Sequence, residues 1–339
     1  LREKKPLKVE EVAQAALDQR PPSATSMPSG ELPTWVPLEQ LLEPQVFEVR
    51  LGSALAAQKP SFEKRALSVR LYLAEVLGWV MPGMSFVPDP ALPPEEYRVL
   101  IQGTPALKTR LKPDFLLAIG KQPQLAGLKG ESTVDPSYGL SARWISPADK
   151  KKAERAGCLV LDPVSVWGSE MTELGRRRCV DFYSPTHLKA SLTLLRPFQD
   201  ALVTRLEADP SKLETLRKVI QNLLAEQVPV RDLELLGELV VTANSADADR
   251  LSETARLQLA GSILSELSVE GTVSVVELGP RANAALTGKP GQAAVVGLAK
   301  QVVEISKSHK RLPAVVTSPQ VRLALRRLIA KDWPDLVVL

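Results

Sequence analysis

Two histidines, His187 and His309, and two cysteines, Cys158 and Cys179, are the residues whose types could supply an imidazole base, a thiolate nucleophile or a soft metal ligand. Their spacing supports none of these. A zinc site needs ligands grouped at short intervals, whereas the cysteines are far apart and neither has a histidine nearby. Each histidine lies close to a lysine on a stretch that reads as solvated surface. Gly288-Lys289 resembles the end of a phosphate loop, but that loop needs a glycine five positions before the pair and Ser or Thr after it. Position 283 is Asn and position 290 is Pro, so the segment reads as a turn. No Gly-x-Ser-x-Gly elbow occurs, and Glu95-Glu96 falls in a Pro-rich stretch where solvation accounts for both carboxylates. The expectation is no catalytic residue, no metal ligand and no cofactor: the chain reads as not an enzyme. A hydrolase hidden in an α/β lobe would lack a nucleophile–base pair.

Two basic runs, Lys150-Lys151-Lys152 and Arg176-Arg177-Arg178, could follow a phosphate backbone, and Tyr183 could stack on a base. Their positions place them on helix faces, diluted by Asp149, Glu154, Glu170, Glu173 and Asp181. Lys+Arg number 43 against 39 Asp+Glu, a formal charge of +4 spread along the chain, which is no electrostatic footprint for nucleic acid. An RNA-binding adaptor would declare itself by affinity that falls steeply with salt.

The elements that must position any site follow from periodicity. The 339 residues favour several lobes over one core. Residues 1–37 pair a charged, weakly helical stretch with a tract rich in Pro, Ser and Gly, which reads as a linker. Val46–Leu51, Glu96–Gln102, Phe115–Ile119 and Leu159–Leu161 read as strands, and Phe62–Leu77 as a helix; Pro88, Pro90, Pro93 and Pro94 mark turns. From Ser184 the pattern becomes helical. Leu213, Leu216, Ile220, Leu223 and Leu224 share one stripe, with Asp209-Pro210-Ser211 as its start signal, and further helices are expected to Leu239 and over Ser252–Leu267. The last segment predicts a strand at Val273–Leu278, a helix at Gln292–Ser306, a strand at Ala314–Val316, a helix opened by Ser318-Pro319, and a strand at Leu336–Leu339. The fold class is α+β and multi-lobed, with small α/β lobes flanking an all-helical lobe.

No apolar run reaches the roughly 18–20 residues of a membrane helix. Leu67–Met81, interrupted by Arg70 and Glu75, reads as amphipathic. The Leu1 start and the apolar end at Leu336–Leu339 suggest a piece of a longer protein.

Several runs carry a resemblance. Leu77-Gly78-Trp79-Val80-Met81-Pro82 and Leu92-Pro93-Pro94-Glu95-Glu96-Tyr97-Arg98-Val99 look like the opening of the cytoplasmic domain of the flagellar and type III secretion export-gate family. Gly130 to Ile145, with Asp135-Pro136, Tyr138-Gly139-Leu140 and Trp144-Ile145, resembles its most specific signature, and the wording favours the flagellar branch over the virulence-type injectisome. Leu213–Asp232 and the tail from Ser318 are similar to its later lobes. The resemblance implies four subdomains: 38–113 with 163–183, an inserted 114–162, a helical 184–266, and 267–339. It also implies a membrane-embedded half preceding this domain in an inner-membrane protein, a nonameric ring, and docking of export chaperone–substrate complexes beside export ATPase components, with no nucleic acid. The docking dimple would map to Asp135, Tyr138 and Ser169, where relatives carry Phe and Thr at the last two. Trp167-Gly168-Ser169-Glu170 departs from the family's wording there. Trp144 and Ile145 are expected in the core.

Overall fold

A computed structural model describes residues 47–268, 270–280 and 313–339, with the single positions 283, 297, 301 and 304. The described residues belong to one compact unit, Gln45–Leu339. The linker expected over 1–37, the turn at Gly288-Lys289, the helix at Gln292–Ser306 and His309 lie outside the described residues.

Phe47–Leu51 (β1) alternates, so Phe47, Val49 and Leu51 enter the core. A short helix, Ser53–Ala56 (α1), precedes Lys59–Leu77 (α2), which buries Phe62, Ala66, Val69, Leu73 and Leu77 at helical spacing. Gly78 ends α2 in the left-handed conformation (φ 72°), its N–H donating to the Ala74 carbonyl. A Cβ there would stand 2.5 Å from the Arg231 backbone nitrogen, so glycine also permits a close chain approach. The amphipathic stretch expected to reach Met81 therefore stops at Leu77, and Trp79 and Met81 enter the core from a loop.

Met84–Pro88 (β2), Glu96–Ile101 (β3) and Thr104–Arg110 (β4) join β1 in a sheet of order β2-β1-β3-β4, with β1 parallel to β2 and antiparallel to β3. β2 hides in a Pro-rich stretch and β4 is mostly exposed, so neither shows strand periodicity. Gln102 and Gly103 form the two-residue β3–β4 turn with φ of 49° and 76°, which takes Gln102 out of the strand. Glu96 is buried, not solvated: its carboxylate meets Lys108 at 3.0 Å and Arg98 at 3.3 Å.

Leu116–Ile119 (β5), Glu131–Val134 (β6), Ser141–Ile145 (β7) and Leu159–Leu161 (β8) form a second sheet, order β6-β7-β5-β8, antiparallel throughout. It carries two short helices, Gln122–Leu125 (α3) and Lys150–Arg155 (α4). Trp144 and Ile145 are buried from β7.

Asp162 then caps Pro163–Phe182 (α5) by accepting the Ser165 N–H at 2.9 Å. This helix packs along α2. Trp167 meets Phe62 edge-on at 5.4 Å between ring centres and Phe86 at 5.6 Å, and Phe182 meets Phe47 at 4.6 Å. Glu170 on α5 is also buried and does not dilute the arginine run. It accepts hydrogen bonds from Tyr97 and, at 2.8 Å, from the Thr109 hydroxyl. Arg176 and Arg177 pair instead with Glu173.

Helices Pro185–Leu195 (α6), Asp200–Glu207 (α7), Pro210–Ala225 (α8), Leu233–Thr242 (α9), Ala248–Gln258 (α10) and Ala260–Leu267 (α11) follow. Asp209 and Asp232 cap α8 and α9 as their positions suggest. The single helix expected over Ser252–Leu267 is two, starting earlier at an Asp247 cap and breaking at buried Leu259, where ψ is 7°. His187 is half-buried against Tyr183 (5.0 Å between rings) and Trp79 (6.3 Å) instead of solvated, and desolvation holds its pKa below the usual imidazole range.

Val275–Glu277 (β9) and Ala314–Val316 (β10) pair in parallel, and Pro319–Ile329 (α12) begins where Ser318-Pro319 places it. The Ser318 side chain does not cap it; its backbone N–H donates to Asn283 at 3.1 Å. The expected terminal strand reduces to a parallel bridge, Val315 to Val338. A buried charge cluster ties α12 to α8 and α10: Glu226 accepts from Arg256 at 2.9 Å and Arg322 at 2.8 Å, while Glu253 also holds Arg322.

Candidate functional site

A groove of ≈ 380 Å³ opens where α2, α5 and the β6–β7 turn meet. Arg65, Ser68, Val69 and Tyr72 line it from α2, Ser165, Gly168, Ser169 and Thr172 from α5, and Leu161 and Tyr138 from the second sheet. Helical periodicity puts each quartet on one side of its helix, with Val69 at the edge of the core side that Phe62, Ala66 and Leu73 occupy on α2. The two helices approach closely because Gly168 has no side chain; a Cβ there would lie 2.7 Å from the Arg65 Cδ.

The turn presenting Tyr138 is built by Asp135. Its carboxylate accepts the Tyr138 N–H at 2.8 Å, its carbonyl accepts the Gly139 N–H at 2.9 Å, and its own N–H donates to Leu140 at 2.8 Å. Pro136 stiffens the turn, and Gly139 takes φ 68°. Asp135 is 2% exposed and Tyr138 58% exposed. Sequence reasoning grouped Asp135, Tyr138 and Ser169 as partner contacts. The structure brings Tyr138 and Ser169 to one groove, and sets Asp135 beneath it as the carboxylate that holds the turn. The Ser169 hydroxyl donates to the Ser165 carbonyl at 3.2 Å and is half-buried. Partial burial, then the nearby Glu173 charge, push the Tyr138 phenol above its usual pKa, so it stays a neutral donor.

Among the groove residues that escaped the sequence reading are Arg65, Tyr72 and Ser165. Arg65 and Tyr72 stand seven positions apart on α2, the spacing of one helix face. That signal was present, but nothing in sequence says which exposed face meets another lobe. Cys158 and Cys179 are both buried, and burial pushes the Cys179 thiol up to about 11. Among the described residues no group of His, Cys, Asp and Glu could hold a metal ion, and no helix is long and apolar enough to cross a membrane.

A profile described as the FHIPEP family matches residues 2–339. The chain belongs to the FHIPEP family. Relatives within it include the flagellar biosynthesis protein FlhA of Bacillus subtilis, 29% identical over 323 residues, which cover 88% of this chain and 48% of that protein. FlhA of Escherichia coli is 27% identical, covering 81% of this chain and 42% of its own. This FHIPEP chain thus spans about half the length of the curated relatives it matches. Its fold is similar to that of the Chlamydia pneumoniae CdsV protein, with a TM-score of 0.74 at 19% identity, covering 87% of this chain and 94% of that one. It also resembles nonameric EPEC SctV-C, with a TM-score of 0.69 at 16% identity, over 87% and 93% of the two chains. The mixed, multi-lobed architecture expected from sequence is therefore the fold of these structures, and the sequence relatives, flagellar biosynthesis proteins, agree with the flagellar branch.

Proposed function

We propose that this chain is the cytoplasmic docking platform of a bacterial flagellar protein-export gate, receiving chaperone–substrate complexes in the groove between α2, α5 and the Tyr138 turn. The observation that carries this reading is the geometry of Tyr138: a large aromatic side chain, mostly exposed, held by a buried carboxylate at the rim of a groove. Rigid aromatics at a groove rim are what protein interfaces use as anchors, because they offer large area at low entropic cost. Ser169 forms the opposite wall.

The subdomain division proposed is 38–113 with 163–183, the inserted 114–162, the helical 184–266, and 267–339. The second sheet falls within the inserted segment, and α5 returns to pack on α2, which supports it. The fold's likeness to nonameric structures supports assembly as a ring, with the membrane reached through a preceding half of the longer protein. A solved complex of the CdsV and CdsO proteins supports binding of a further protein partner, and export ATPase components are proposed for that place. No catalytic role is proposed.

The test is calorimetric titration of this chain with recombinant flagellar export chaperones, each loaded with its substrate. Saturable binding that Tyr138→Ala weakens, with an unchanged melting temperature, is the expected result. Absence of binding by every loaded chaperone would overturn the proposal.

A further inference from the structure

We infer that the groove selects a protein partner presenting a carboxylate beside its apolar anchor, the carboxylate meeting Arg65 and the anchor lying between Tyr72 and Tyr138. This rests on the docking role proposed above and names the chemistry of the partner.

Arg65 makes no direct ion pair among the described residues, and only Asp162 offsets its charge through space. Arg65 is half-buried in the groove, and no Asp or Glu lines that groove. Among the described residues its guanidinium hydrogen-bonds only the Ser165 hydroxyl, at 2.5 Å. Ser165 in turn donates to the Asp162 carboxylate at 2.7 Å; that acid feels the Arg65 charge through space but is engaged in capping α5 and makes no ion pair with it. Neighbouring cations differ: Arg176 and Arg177 are paired with Glu173, and Arg70 donates to the Met81 carbonyl at 2.8 Å. A guanidinium with one donor engaged has others to spare, in a planar fork that fits a carboxylate.

Arg65 is also pre-positioned. Its aliphatic stem lies against Gly168, where a Cβ would collide with it, and its head is fixed by Ser165. The entropy of ordering a long side chain is therefore largely lost before a partner arrives, which strengthens the contact it can make. The remaining polar lining is hydroxyl, from Ser68, Ser169 and Thr172, and suits either sign of charge. A nucleic-acid backbone would need a row of cations, and the groove has one. A single carboxylate flanked by an apolar side chain is the matching arrangement, as on one face of an amphipathic helix.

The experiment compares the chain with Arg65→Gln, Arg65→Lys and Tyr138→Ala by calorimetry against a substrate-loaded flagellar export chaperone, between about 50 and 300 mM NaCl. Arg65→Gln should weaken binding about tenfold or more at low salt and flatten its salt dependence, while leaving the thermal melt unchanged. Arg65→Lys should keep the salt dependence and recover part of the affinity, since it retains charge without the fork. Tyr138→Ala should weaken binding at every salt concentration without changing the slope. Wild-type affinity and slope in Arg65→Gln would overturn this inference alone, and so would a melt that collapses together with binding. Failure of the unaltered chain to bind would overturn the docking role and the inference with it.

Discussion

Replacing Asp135 with alanine separates a residue that touches a partner from one that holds another residue in place. Asp135 is nearly fully buried, and its carboxylate receives the Tyr138 N–H at 2.8 Å. A hydrogen bond to a charged acceptor contributes about 1.5–3 kcal/mol. The value here belongs at the low end, because the Glu170 carboxyl, raised chiefly by burial, is raised further by repulsion from Asp135, and the substitution relieves that part. Asp135→Ala should therefore lower stability by about 1–2 kcal/mol and weaken chaperone binding by loosening the Tyr138 turn. Asp135→Asn keeps an acceptor for the N–H and removes the repulsion, so both properties should stay near wild type. Tyr138→Ala should weaken binding without the loss of stability. The side chain is 58% exposed, so its loss should change stability by less than about 0.5 kcal/mol. Binding should fall by about 2 kcal/mol, roughly thirtyfold. Urea unfolding reads the first quantity and calorimetry the second. An Asp135→Ala variant as stable as wild type would refute the reasoning. So would a Tyr138→Ala variant that loses more than about 1 kcal/mol of stability while binding normally.

Glu226→Ala leaves Arg256 and Arg322 buried without their shared carboxylate, so urea unfolding should show a loss of about 3–5 kcal/mol, the cost of removing one partner from a buried pair. Arg256 suffers more than Arg322, which keeps Glu253, and Arg256→Met should recover part of the loss in the Glu226→Ala background. Burial raises the Glu170 carboxyl above the ordinary glutamate range. The folded state therefore binds that proton more tightly than the unfolded state, and its contribution to stability is full below the unfolded pKa and lost as pH rises through the folded one. Stability profiles of wild type and Glu170→Gln should diverge in that window, with the variant flatter; parallel profiles would contradict the assignment. Cys179 is buried with its thiol pushed up to about 11, so thiol reagents should label it at neutral pH only when urea unfolds the chain.

Local signals in the sequence determined much of this protein. Asp209-Pro210-Ser211 starts α8 because an aspartate side chain satisfies N–H groups that the helix leaves open. The alternation at Phe47–Leu51 and the stripe along α8 are core faces because each element has one apolar side to bury. The Gly130–Ile145 run identified the family because its order of Gly, Asp-Pro, aromatic-Gly-Leu and Trp-Ile is too long to arise from composition. What escaped were features set by partners distant in sequence. β4 carries no apolar alternation and is a strand because β3 pairs with it. Glu96, Glu170 and His187 read as solvated residues, yet each is covered by side chains of other elements.

The candidate site divides the same way. The family resemblance implied one dimple for Asp135, Tyr138 and Ser169, and the sequence showed that Asp-Pro and Gly139 make a turn. Only the tertiary structure decided that Asp135 faces inward and Tyr138 outward, since a turn can present its side chains either way until a sheet fixes its orientation. Only the tertiary structure, likewise, brought Arg65 beside Ser165, residues 100 positions apart, and left that guanidinium in a groove with no carboxylate of its own. Helix periodicity names the residues that share a face; the packing of α2 on α5 chooses what that face meets.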